Sequence, residues 1–405
     1  MSECENGNCS MDRREFLQTG AAASAAVTLA AGATVRADDQ ADAGVKDAVL
    51  PTRTLGRTGV KVTLLNQGTV QGPSSLDRLL RFSYERGVRY FDTAAAYGTE
   101  GGFKKWFTAM PEVRKNIFLA TKDGVGTPSE MLKRIDVRLE ALGTDYIDLL
   151  FFHGLGSNQV DWPKSKEMKE AAEAIKKTGK VKFVGFTTHD AKIAEQLEAA
   201  AEGNFVDAIM LKRTPWLDKD SAFNKAIDAC HAKNIGLVSM KQLLGIKPDQ
   251  ILEKAPVLKE RGLNAFQGVL TAIWTDERMS STCVTMMNTD QVKENVDAAR
   301  RFEPLKTADL AMLRDAVLAA GPRMCADCDG RCEHAAGTQA KLGDLTRFLA
   351  YHEGMGARRM AREEYAKLSP EERAWHTADL EAARDACPSR LNFAELLPKV
   401  DELLG

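Results

Sequence analysis

The chain lacks a strong charge of either sign: 55 Lys and Arg stand against 57 Asp and Glu, a formal balance of -2 over 405 residues. Such a balance gives no sign of nucleic acid or of an anionic surface as a partner. A long hydrophobic run is missing too. Residues 20–33 are Ala-rich and fall short of the ~20 apolar residues that a spanning helix needs. No G-x-G-x-x-G follows the first predicted strand, which argues against an open dinucleotide-binding sheet. Cysteine is present but uneven. Cys4 and Cys9 lie at the N-terminus, and Cys230 and Cys283 stand alone and read as core filling. Cys325, Cys328, Cys332 and Cys387 fall in the last quarter. The length is more than one core usually holds, so a large domain and a smaller one are expected.

The first residues read as an address. Arg13 and Arg14 are followed by Phe16 and Leu17, then by the Ala-rich run, then by Val35-Arg36-Ala37 before Asp38. The order resembles a twin-arginine export signal. It implies a bacterial protein exported to the periplasm, the twin-arginine translocation machinery as a partner, and a mature chain beginning near Asp38. A merely disordered or amphipathic N-terminus is the alternative.

From Val60 to about Thr285, short apolar runs alternate with amphipathic helical stretches. The strands are predicted at 62–66, 88–92, 117–122, 146–153, 181–186, 206–211, 235–241 and 282–286. Their apolar runs are continuous, as in parallel strands covered on both faces. The stretch 129–142 places Leu132, Ile135, Leu139 and Leu142 on one helix face. Eight such units predict an α/β fold of the (β/α)8 TIM-barrel type, with chemistry at the C-terminal ends of the strands. The expected layout is a signal over 1–37, a linker over 38–50, the barrel over 51–305 and a small, mainly helical cysteine-containing domain over 306–405.

Four polar residues fall at that rim. Asp92 ends the second predicted strand, Lys122 the third and His153 the fourth, and Tyr97 lies in the loop after Asp92. Any one of them alone would read as a satisfied structural group. Together they suit carbonyl reduction, which puts a hydride on carbon and a proton on oxygen. A phenol is a poor acid at neutral pH, and a nearby ammonium lowers its pKa. Tyr97 is thus the expected acid, Lys122 its tuner, Asp92 the partner that keeps Lys122 charged, and His153 the group that orients the carbonyl.

The run Gly87-Val88-Arg89-Tyr90-Phe91-Asp92-Thr93-Ala94-Ala95-Ala96-Tyr97-Gly98 resembles the tetrad signature of the aldo/keto reductases. Residues 54–62, Thr121-Lys122, 145–153 and 291–295 are similar to further motifs of that family. The resemblance spans about residues 50–300. It implies NADP(H) or NAD(H) as cofactor and a small-molecule carbonyl or alcohol, such as a sugar, as substrate. By the same resemblance Thr187 and Thr188 stand toward the nicotinamide amide, Lys241 toward the pyrophosphate, and Gln291, Glu294 and Asn295 at the adenine end. A solvated rim lysine is the other reading of Lys241. The sequence departs from the family at Met210 and Arg213, where relatives carry Gln and an aromatic, and at Met286 and Met287 before Asn288.

Cys325-x2-Cys328-x3-Cys332, with the distant Cys387-Pro388, resembles the ligand set of a ferredoxin-type [4Fe–4S] cluster. A Cys4 zinc site and a pair of disulfides remain open beside it. A cluster would be structural or would carry electrons, which leaves room for a redox partner that the sequence does not name. The whole chain therefore reads as an exported reductase. A non-enzymatic binding or electron-transfer protein on a reductase scaffold is the rival.

Overall fold

The computed structural model describes residues 48–70, 72–214, 219–243, 245–325 and 330–405. The proposed signal, with Cys4 and Cys9, and Cys328 in the triplet lie outside the described residues. Residues 49–405 form one compact unit.

Two short strands, β1 (Thr52–Thr54) and β2 (Lys61–Thr63), pair antiparallel as a separate hairpin. Eight further strands close a barrel in which every pairing is parallel. They are β3 (Leu65–Gly68), β4 (Tyr90–Asp92), β5 (Phe118–Asp123), β6 (Ile147–Phe152), β7 (Val181–Thr188), β8 (Ala208–Lys212), β9 (Gly236–Met240) and β10 (Met279–Thr285). All eight predicted strands are present. The predicted 62–66 run is divided: its first half belongs to the hairpin, and only its second half enters the barrel.

Alternation divides the strand side chains between two cores. Leu65, Phe91, Leu119, Leu150, Val184, Ile209 and Leu237 face the helices and join their apolar stripes. Tyr90, Ala120, Leu149, Phe151, Ala208, Met210 and Val238 fill the barrel interior. The helices are set by local chemistry as well as by burial. Helix Pro128–Leu142 starts on a reciprocal Thr127/Glu130 capping box with Pro at its first turn, and stops at Gly143 in the left-handed region.

The C-terminal part is helical, as expected. Helix Thr307–Ala320 buries Leu313, Ala316 and Val317 in a cluster with Ile251, Leu258 and Ala272 from the barrel's own helical layer. A separate core begins at Cys332. It gathers Leu342, Leu345, Phe348, Trp375, Phe393 and Leu397 around Cys387.

Candidate active site

The rim is built by strand ends. β4 ends on Asp92, and the chain then makes a tight 3-10 turn over Ala95–Tyr97, closed by Gly98 at φ +67°. That conformation favours glycine. Three threonines pin this loop: Thr69 Oγ1 donates to the Asp92 carbonyl at 3.0 Å, and Thr99 Oγ1 lies 3.0 Å from that of Thr69 and 2.9 Å from that of Thr93. Tyr97 is thereby held beside Lys122 and His153.

The structure assembles all four predicted residues. Lys122 Nζ donates to Asp92 Oδ1 and, at 2.9 Å, to the Thr93 carbonyl. It also lies 5.0 Å from the centre of the Tyr97 ring. The Tyr97 and His153 rings meet edge to face, with centroids 5.7 Å apart. Burial works against the charge on Lys122, but Asp92 outweighs it, so the ammonium titrates above its ordinary value. Burial likewise pushes the Asp92 carboxyl up, against the pull of Lys122. Burial and the nearby Lys122 and Lys241 push His153 down to about 3, which keeps the imidazole neutral at ordinary pH.

One expectation is corrected. Lys122 does pull the Tyr97 phenol down, but desolvation is larger and Asp92 opposes the lysine, so the pKa stands above its ordinary value. The ammonium is already largely satisfied by its carboxylate.

Sequence reasoning missed Cys283. It sits on the inward side of β10 with its Sγ 3.7 Å from Asp92 Oδ1, at the floor of the tetrad. A Cβ on Gly68 would lie 3.0 Å from that sulfur, so the neighbouring strand carries glycine there. Strand alternation was the available signal, but an isolated cysteine reads first as filling.

The C-terminal helix Leu342–Gly354 lies over the rim. Lys241 Nζ donates to the Tyr351 hydroxyl, and Arg347 Nη1 donates to the His189 carbonyl at 3.3 Å. Tyr351 is buried and close enough to Tyr97 to feel its charge. A cavity of about 380 Å³ lies beside this lid, between residues 245–250, Arg323 and the helix's last turn at Leu349, Ala350, Glu353 and Gly354.

Comparison with known proteins agrees with the barrel fold. The model of the aldo/keto reductase family matches residues 62–257. L-galactose dehydrogenase of Arabidopsis thaliana is 27% identical over 286 residues, 62% of this chain and 89% of that protein. D-galacturonate reductase of Hypocrea jecorina is 23% identical over 284 residues, 64% of this chain and 87% of that protein. An aldo-keto reductase of Bacillus halodurans in its holo form superposes with TM-score 0.54 at 22% identity, covering 66% of this chain and 96% of that one, a likeness of fold. Family model and relatives together support the aldo/keto reductase family. That family implies an oxidoreductase, and its members in general use NADP(H) or NAD(H).

The residues expected at an aldo/keto reductase cofactor are placed unequally. Thr187 falls on the inward side of β7 and accepts the Gly154 amide at 2.9 Å, leaving its hydroxyl proton to donate elsewhere. Thr188 faces the other way and donates to Gln196 Oε1 at 2.5 Å, fastening the following helix. Gln291 Oε1 is occupied by the Met287 amide at 2.7 Å. Glu294 is exposed and Asn295 is buried on the helix Thr289–Arg300. Lys241 is neither solvated nor spare: it is bound to Tyr351 and has φ +60°. Arg213 does not approach the axis. It turns outward and pairs with Asp276 at 2.9 Å. The cation that does face inward is Lys212, two residues beyond Met210 on the interior side of β8.

Cys325, Cys332 and Cys387 lie in or against one apolar core, and burial and the neighbouring Cys325, Glu333 and Cys387 push the Cys332 thiol up. Gly343 leaves the room that Cys325 Sγ occupies, since a Cβ there would lie 3.3 Å away. Burial pushes the Cys387 thiol up, against the pull of the following backbone amides, and the Arg390 amide donates to the Cys387 carbonyl at 2.9 Å. Among the described residues, no group of three metal-ligating side chains is assembled. Cys230 donates to the Leu197 carbonyl at 3.2 Å and is core filling, as expected.

Proposed function

We propose that this chain catalyses reversible hydride transfer between a nicotinamide nucleotide and a sugar-like carbonyl or alcohol. The observation that carries this reading is the tetrad: a phenol, a buried Lys–Asp pair and a neutral imidazole converge on one barrel rim. The named activities of relatives on L-galactose and D-galacturonate support a polyhydroxylated substrate.

A bound nicotinamide supplies the hydride. The inward hydroxyl of Thr187, with its proton to spare, fits the carboxamide. His153 holds the substrate carbonyl as a neutral donor. Tyr97 passes its phenolic proton to the carbonyl oxygen as the alcohol forms and recovers it in the reverse direction. Lys122 stabilises the phenolate left behind, and Asp92 keeps Lys122 charged and in place. The elevated pKa keeps the phenol protonated through the neutral range, and proton donation relies on Lys122 stabilising the phenolate as it forms. Replacing Tyr97 by Phe is expected to lower turnover of sugar aldehydes by about 100-fold or more. Full activity in that variant would exclude this role.

The same reading extends to the C-terminal cysteines and the N-terminus. Cys325, Cys328, Cys332 and Cys387 are proposed to hold a [4Fe–4S] cluster, supported by their spacing and by the packing of Cys325, Cys332 and Cys387 in or against one core. Export through the twin-arginine route rests on the sequence signal. Anaerobically isolated protein should contain about four irons per chain, with the mature N-terminus at Asp38. Zinc in place of iron, or an intact Met1 in the periplasm, would overturn these two assignments.

A further inference from the structure

Positive charge is concentrated at the barrel mouth beyond what the tetrad uses. The basic groups are Lys122, Lys212, Lys241 and Arg347. Lys212 lies in register with Met240, beside Lys241, and Lys241 is bonded to Tyr351, one turn from Arg347 on helix Leu342–Gly354. The carboxylates set against them are Asp92, bonded to Lys122, and Asp344, which lies 2.6 Å from Arg347. Among the described residues, two of these four basic groups, Lys122 and Arg347, are paired with carboxylates.

Lys212 is 5% exposed. Alternation from Ala208 and Met210 points it into the barrel, and it makes no hydrogen bond or ion pair among the described residues. Lys241 is held at φ +60°, a conformation rare for a residue with a long side chain, and among the described residues its ammonium hydrogen-bonds only the Tyr351 hydroxyl. Arg347 is also buried, with its Nε unpartnered. Arg347 has Asp344, whereas Lys212 and Lys241 have no carboxylate partner among the described residues, and an entering anion would supply one.

We propose that this mouth holds an anionic group of the substrate, a carboxylate or phosphate carried on the same chain as the reacting carbonyl, against Lys212, Lys241 and Arg347. The inference rests on the reductase reading for the identity of the ligand as substrate. It narrows the substrate class to acidic sugars and related hydroxy-carbonyl anions. The Tyr351 hydroxyl, already bonded to Lys241, closes the site from above. The lid helix therefore contributes two of the recognising side chains, Arg347 and Tyr351, so specificity is set in part by the appended C-terminal module.

The test is equilibrium binding to the full chain by calorimetry, with D-galactonate as the anionic probe and galactitol as its neutral counterpart. Charge-assisted contacts of this kind predict about tenfold or greater preference for galactonate in the wild type. Lys212→Met should erase most of that preference. Lys212→Gln, which keeps a polar end, provides the same comparison if the methionine variant does not fold. Equal affinity for the two polyols, or an unchanged preference in the folded variant, overturns the proposal. NADPH affinity is measured alongside. If Lys212→Met weakens NADPH by about tenfold and leaves the polyol preference intact, the cations serve cofactor phosphates and the proposal falls. Because no turnover is read, the two readings separate. Selective galactonate binding without any NADPH binding would sink the reductase assignment alone, and NADPH binding with equal affinity for galactonate and galactitol would sink the anion site alone.

Discussion

At the scale of single residues, the site works by placing charges where water cannot screen them. His153 illustrates the consequence. Its imidazole is desolvated beside Lys122 and Lys241 and is pushed down to about 3. A pH profile of kcat/KM for reduction is therefore expected to show no break near 6.5 from this group, since it stays neutral from pH 5 to 8. A break near 6.5 that disappears in His153→Gln would contradict the burial argument. The tetrad's residues were legible in the sequence because Asp92, Lys122 and His153 fall at predicted strand ends and Tyr97 in the loop directly after Asp92. The net direction at Tyr97 was not, because it depends on how far Asp92 has already spent the charge of Lys122 and on how completely the phenol is desolvated. Cys283 and Lys212 were missed for a related reason. Each lies one alternation step inside the barrel, and only an exact strand register shows which way it points.

At the scale of elements, the barrel is tied together away from its chemistry by Asp276. Its carboxylate pairs with Arg213 beyond β8 at 2.9 Å and with Arg278 before β10 at 2.8 Å, and its backbone carbonyl accepts Arg53 of β1 at 3.0 Å. Burial opposes ionisation, but the hydrogen bonds and charges of Arg278 and Arg213 prevail and hold Asp276 at about 2, below its ordinary 3.8. A depressed carboxylate pKa stabilises the fold above the unfolded value, and this stabilisation is lost as pH falls from about 4 toward 2. Replacing Asp276 by Asn should cost about 2 kcal/mol at neutral pH and flatten the acid limb of the Tm profile between pH 4 and 2. An unchanged limb would show the pairing to be energetically idle. Element positions were legible from apolar runs and turn chemistry. The division of the first predicted strand into β2 and β3 was not, because residues 62–66 read as one apolar run.

At the scale of the whole molecule, the C-terminal module is part of the active site's surroundings. Helix Leu342–Gly354 begins beside Cys325, where Gly343 meets the sulfur, and ends over the rim, where Tyr351 meets Lys241. One rigid element thus spans from the cysteine core to the tetrad. Sequence alone separated a barrel from a cysteine domain near residue 305, because composition and motif change there. It could not show that helix Thr307–Ala320 completes the barrel's flank, or that the later helix returns across the mouth, since contacts between distant segments leave no local signature. The central claim is that this covered rim still performs nicotinamide chemistry. The most direct measurement is a single-turnover experiment on anaerobic, nucleotide-free protein: NADPH and then NADH are titrated by Trp fluorescence, and a sugar aldehyde is added while absorbance of the reduced nicotinamide is followed. The account predicts saturable binding of at least one nucleotide and loss of its absorbance on adding the aldehyde. Absence of binding to either nucleotide would contradict it.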